Sequence, residues 1–258
     1  MIVSLVSVLL FGAGHVLLGA DTPKKTIKST VIDAVAVGVS PPLRTLKPSE
    51  RTRQSGTPRV MPDKPPRPFL HTDTPQHDAL VQKTVGGKLI PSPIVSFDGV
   101  GDVNGVQPAD MGLDVSPSQV FDWVNLAFAI FDRSGNLLSG PFNGNAIWQA
   151  ALPGSQCASN NGGDILVRWD QFASQWVIGQ LAYPGPPNGY HMCIAVSQTS
   201  DATGAWYAYD YLYSPTDLND YPKFGLWPDP DNNGYFITAR NFANASSFTG
   251  MSIMAIDR

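Results

Sequence analysis

The sequence predicts an all-β protein built from repeated antiparallel blades of β-propeller type. Three observations carry that expectation. Beyond residue 94, short apolar and aromatic runs alternate with Gly, Asn, Asp and Pro turns. The runs recur at a spacing near 60 residues. Helix-forming charged pairs are scarce, because only 15% of residues are charged and Glu50 is the one glutamate in 258 residues.

The expected strands fall at 120–125, 127–132, 137–138, 165–169, 176–182, 192–196, 205–212, 224–227, 235–238 and 251–256. Asp114, Asp170 and Asp229 each stand six residues ahead of a large apolar residue, Val120, Trp176 and Tyr235. Ala129, Ala195 and Ala255 each sit between large apolar residues in a later strand, where a small side chain suits close sheet packing. The repeats divide into blades at about 97–150, 164–213 and 221–258, the last stopping after its third strand. Propellers usually have about four blades or more. The expectation is therefore a β-propeller-like domain over 96–258 holding about two and a half blades, as a fragment of a longer protein or a piece completed by other chains. A plain β-sandwich is the competing fold.

The N-terminal part has a different texture. Residues 2–18 are almost wholly apolar and lead to Leu18-Gly19-Ala20, a small-residue cleavage pattern. Residues 1–20 read as a signal peptide, with an uncleaved membrane anchor as the alternative, and no other segment has the length and polarity of a membrane span. Residues 21–95 read as a Pro-rich basic linker or propeptide, mostly disordered or extended. Their one apolar island, 31–39, suits a short strand or helix, or part of a propeptide. Residues 22–96 hold 12 Lys/Arg against 5 acidic residues, whereas 97–258 hold 5 Lys/Arg against 15 Asp. An acidic domain without a P-loop or dinucleotide fingerprint gives no support to nucleic-acid or nucleotide binding. Export also fits the cysteine count: Cys157 and Cys193 are expected to pair, the alternative being two separate buried thiols.

Four motifs in order carry a resemblance. They are Pro108 to Asn125 followed by Phe128-Ala129-Ile130-Phe131-Asp132, then Asp170-Gln171-Phe172-Ala173-Ser174-Gln175-Trp176, Cys193-Ile194-Ala195-Val196-Ser197, and Asp220-Tyr221-Pro222-Lys223-Phe224-Gly225-Leu226-Trp227-Pro228-Asp229. Together they resemble a group of uncharacterised exported bacterial β-propeller proteins over about 108–242. The chain departs from that pattern at Gly112-Leu113, at Gln119-Val120 and at 230–233. The resemblance implies a propeller, export and the Cys157–Cys193 pairing. It implies no activity or catalytic residue.

Candidate chemistry is sparse. Asp229, Asp231 and Asn233 have the D-x-D-x-N-G form of a calcium loop, although Arg240 stands where an EF-hand has its glutamate. A polar hairpin turn explains the same residues. Asp98, Asp102 and Asn104 form a second, weaker candidate. Calcium is thus the only cofactor the sequence suggests. A glycosidase would need two carboxylates across a bond, but the repeated Asp114, Asp170 and Asp229 read as turn caps. Ser197, His191 and an Asp make only a nominal triad, without a nucleophile elbow. The run from Trp206 through Tyr207 and Tyr209 to Tyr211 suits stacking on a sugar or peptide, or packing against a neighbouring blade. The functional expectation is a secreted or cell-surface module binding an extracellular glycan or protein. An extracellular glycosidase-like hydrolase with a site partly in missing blades, and a structural module of a larger surface protein, are the alternatives.

Overall fold

The computed structural model describes residues 30–49, 59–60 (backbone only), 92–101, 103–107, 109–228 and 233–258. Residues 1–20, expected to be a signal peptide, lie outside them, as do most of 21–95. The elements run β1 (Ala36–Val39), a 3-10 turn (Leu43–Thr45), β2 (Arg59–Val60), β3 (Val106–Gln107), β4 (Met111–Val115), β5 (Gln119–Val124), β6 (Ala127–Asp132) and β7 (Leu137–Asn143). Two short helices follow, α1 (Ala146–Ala151) and α2 (Gln156–Ser159). Then come β8 (Leu166–Asp170), β9 (Gln175–Gly185), β10 (Gly189–Ser197), β11 (Trp206–Ser214), β12 (Asp217–Trp227), β13 (Gly234–Ala243) and β14 (Ser247–Asp257). The chain is all-β and mostly antiparallel.

Three meanders make the fold. The first sheet has the order β4-β5-β6-β7, the second β1-β11-β10-β9-β8 and the third β12-β13-β14, while β2 and β3 form a small parallel pair. Each sheet follows chain order except for β1, which comes from far upstream. No ring of sheets closes among the described residues.

Strand alternation decides the packing, because successive side chains point to opposite faces. Phe121, Trp123, Phe128, Ile130 and Phe142 of the first sheet meet Trp176, Ile178, Ala195, Trp206 and Ala208 of the second in the main core. The opposite face of the second sheet presents Leu166, Val177, Leu181, Met192 and Ile194 to Tyr235, Ile237, Met254 and Ile256 of the third. The second sheet is therefore buried on both sides. Residues Ile32–Arg258 belong to one compact unit, and of the preceding unit the described residues 30 and 31 are exposed and without regular structure.

Four details differ from the sequence reading. Strand β4 lies outside the expected strands; its Met111, Leu113 and Val115 alternate with Gly112 and Asp114 but stay exposed, and backbone pairing with β5 defines it. Strands β12 and β14 run 11 residues each, longer than their apolar cores suggest, because backbone pairing with β13 carries them through polar positions. Ala129 and Ala195 are buried as the repeat implies, but Ala255 is exposed, on the face of β14 opposite Met254 and Ile256. Most importantly, residues 36–46 are part of the fold rather than linker. β1 pairs with the edge strand β11, with Val37 opposite Tyr209 and Val39 opposite Tyr207. Leu43 is completely buried in the main core, and its backbone N–H donates to the Gly204 carbonyl. Gly38 permits this docking, since a Cβ there would lie 2.4 Å from the Ala151 carbonyl oxygen. The apolar island thus forms a strand because an open sheet edge offers its backbone groups partners.

Candidate functional site

The aromatic run resolves into two faces of β11. Trp206, Ala208 and Asp210 point towards the main core, and Tyr207, Tyr209 and Tyr211 point the other way. Trp206 is fully buried and donates its indole N–H to the Ala202 carbonyl at 3.0 Å. It is a core residue, which corrects its assignment as a binding residue. The reason is the period of two: one residue in each adjacent pair must face inward.

The three tyrosines form the floor of a 240 Å³ pocket between the second and third sheets. Gln175, Ile194 and Val196 extend that floor, and Tyr235, Ile256, Asp257 and Arg258 form the opposing wall. The Tyr209 and Tyr211 rings lie nearly parallel, 6.2 Å apart and inclined by 18°. Tyr207 is 41% exposed at the open end. Burial, followed by the neighbouring Tyr209, pushes the Tyr211 phenol above its ordinary pKa. That shift favours the neutral Tyr211 phenol, and all three rings offer polar tips and flat apolar faces.

A dense polar knot anchors the wall. Asp170 is fully buried at the end of β8. It accepts backbone N–H bonds from Phe172 and Ala173 at 2.9 and 3.0 Å, which caps the turn into β9. It also accepts the Tyr235 hydroxyl at 2.9 Å and two bonds from the Arg258 guanidinium, at 2.5 and 3.1 Å. Burial alone would raise the Asp170 carboxyl, but the Arg258, backbone and Tyr235 donors outweigh it and hold the group below its ordinary range. Burial and the adjacent Asp170 carboxylate drive the Tyr235 phenol far above its usual value. Asp114 performs a related task one sheet earlier, accepting the Trp169 N–H at 2.8 Å. Asp114 and Asp170 therefore stitch neighbouring sheets together, and Asp170 also caps a turn; Asp229 lies outside the described residues. With five donors on Asp170, its lone pairs are committed to structure.

A larger cavity of 430 Å³ lies on the other side of the second sheet, lined by Val35, Ala36, the 152–156 connection, His191 and Asp210. His191 Nδ1 lies 2.5 Å from Asp210 Oδ1, and Nε2 lies 3.0 Å from the Asn188 carbonyl. A carbonyl only accepts, and a carboxylate only accepts, so the two contacts are both hydrogen bonds only when the ring is doubly protonated, and the site favours the imidazolium. Burial opposes that charge, but the Asp210 and Asn188 bonds prevail and raise the His191 pKa. The other Asp210 oxygen accepts the Cys157 N–H at 3.1 Å. Ser197 lies six residues along the same strand, about 20 Å away. Its hydroxyl donates to the Thr199 carbonyl and accepts the Trp176 N–H. The nominal Ser197–His191 pair is therefore not assembled.

Cys157 and Cys193 form a disulfide with Cα atoms 5.6 Å apart, tying α2 to the second sheet. For the calcium candidates, Asp229 and Asp231 lie outside the described residues, as does Asp102. Asn233 Oδ1 accepts a bond from Arg258 Nη1 at 2.8 Å. No group of three or more His, Cys, Asp or Glu suited to a metal ion occurs among the described residues. Nor does any helix among them have the length and apolarity to cross a membrane. The contributions of Gln175, Tyr235 and Arg258 to the pocket are not legible in the sequence, because they converge from β9, β13 and the residue after β14.

Compared with known proteins, the chain matches no family model, no curated protein and no solved structure.

Proposed function

We propose that the chain is a secreted module of β-propeller type that binds an extracellular glycan in the tyrosine-floored pocket. The observation that carries this reading is the convergence of Tyr207, Tyr209 and Tyr211 on one pocket with an arginine wall. Stacked phenol faces offer apolar area to the C–H faces of a sugar, while Tyr hydroxyls and Gln175 offer hydrogen bonds at the rim. The apolar leader and the disulfide support export. Three meanders stacked face to face support the propeller reading. Binding is favoured over glycoside hydrolysis because the Asp170 carboxylate beside the pocket is already saturated with donors.

A glycan array probed with the purified chain, followed by titration of the best sugar against Tyr207→Ala and Tyr209→Ala, tests this. Loss of about tenfold in affinity in each variant, or roughly 1.4 kcal/mol, is expected. An array without binders, or binding indifferent to both substitutions, removes the reading.

A further inference from the structure

The donors around the tyrosine pocket are largely committed, whereas its acceptors are free. Gln175 Nε2 donates to the Ser197 carbonyl at 2.9 Å, which orients the amide and leaves Oε1 as its free end. Tyr235 donates its hydroxyl to Asp170. Arg258 directs Nε and Nη2 to Asp170 and Nη1 to Asn233. Asp257, on the same wall, only accepts when ionised. Its Oδ1 takes the Arg258 backbone N–H at 3.1 Å, and Oδ2 takes no hydrogen bond among the described residues.

Charge leans the same way. The Asp170–Arg258 pair is buried and balanced, with side chains 1% and 13% exposed, so Arg258 does not make the pocket cationic. Asp257 forms no ion pair among the described residues. One negative charge at the pocket is therefore uncompensated. The surrounding domain reinforces it, with 5 Lys/Arg against 15 Asp over 97–258. The tyrosine floor adds a third contribution, because a cation within about 6 Å of a ring face is attracted by the ring quadrupole.

A neutral sugar leaves the Asp257 charge unmet, and an acidic sugar is repelled by it. A protonated amine answers all three features, since it brings a positive charge and three donors and accepts nothing. At 240 Å³ the pocket is smaller than the usual ligand site of about 300 Å³ or more, which suits a single sugar residue. We infer that the glycan taken here carries a protonated amine, as a hexosamine without an acyl group does, received by the Asp257 carboxylate, Gln175 Oε1 and the tyrosine rings. This inference rests on the glycan-binding proposal and names the sugar for that same pocket.

The test titrates the purified full chain with three β-1,4-linked oligosaccharides of equal length, built from glucosamine, N-acetylglucosamine or glucose, and with choline chloride. The glucosamine oligomer, with its amines protonated, should bind about tenfold more tightly than the other two. Asp257→Asn should remove that advantage, and Tyr209→Ala should weaken binding about tenfold. Circular dichroism of Asp257→Asn should match the parent, since Asp257 is exposed. Equal binding of the glucose and glucosamine oligomers, lost in Tyr209→Ala, overturns the inference and leaves the glycan reading standing. Binding of the glucosamine oligomer that ignores both substitutions overturns it too, because the amines are then held by the acidic surface elsewhere. Tyr209-dependent binding of choline with no oligosaccharide bound overturns the inference and the glycan reading together.

Discussion

Asp170 and Arg258, 88 residues apart in sequence, form a bidentate ion pair that joins the end of β8 to the residue following β14. The Asp170 side chain is 1% exposed and that of Arg258 13%. The same carboxylate holds the Tyr235 hydroxyl, so one buried charge sets both the joint between the second and third sheets and the wall of the candidate pocket.

Removing that charge leaves Arg258 buried without its counter-ion. Asp170→Asn is expected to cost roughly 3–5 kcal/mol, as breaking a buried pair usually does. Urea unfolding of both proteins measures it. The pH dependence has a definite sign, because the folded-state pKa of Asp170 is lowered. Its contribution is present above the ordinary carboxylate pKa and fades as pH falls through the lower folded value. The difference between parent and variant should therefore shrink only in strong acid. An equal difference at every pH would contradict this account.

His191 gives the opposite slope. Its folded pKa lies above the ordinary 6.5. The stability it contributes is complete below that value and is lost as pH rises through the folded value. Urea midpoints measured from pH 5 to pH 9 should decline on the alkaline side in the parent chain. His191→Gln should remove that decline, and NMR titration of the imidazole should place its pKa above 6.5.

Leu43 separates a packed strap from a tethered linker. It is fully buried among the main-core residues, so Leu43→Ala is expected to cost about 2–5 kcal/mol by loss of burial and cavity formation. Thermal unfolding reads the effect. A change within about 0.5 kcal/mol, the range for exposed positions, would mean that residues 36–46 do not contribute to the folded core.

The disulfide closes a loop with a sequence separation of 36. In the chain-entropy description, replacing both cysteines by serine should cost about 3–4 kcal/mol. Reduction of the parent chain should lower its urea midpoint, while the double-serine variant should be indifferent to reductant.

Much of this architecture is visible in the chain before folding. Alternation of apolar residues with Gly, Asn and Asp turns marks most strands, because a half-buried pleat demands a period of two. The 60-residue recurrence separates the three meanders. The cysteine pairing followed from count and context. Strand β4 lies outside the expected strands although Met111, Leu113 and Val115 keep the period, because Gly112 and Asp114 have low strand propensity and only the cross-strand bonds to β5 define it.

Tertiary structure decided what local pattern could not. Alternation says that Trp206 and Tyr207 face opposite ways, but only the sheets packed on either side say which is core and which is pocket. The recurring aspartates were legible as turn caps, yet their reach to Trp169, Tyr235 and Arg258 depends on which strands lie beside them. Residues 36–46 lie in a proline-rich stretch that reads as linker, and they join the fold, with Leu43 in the core, because an unpaired edge of β11 and a gap beside Ala151 receive them. The physical reason is common to all three cases. Period and turn chemistry act within a few residues along the chain, whereas burial, charge pairing and edge pairing are set by neighbours tens to more than a hundred residues away.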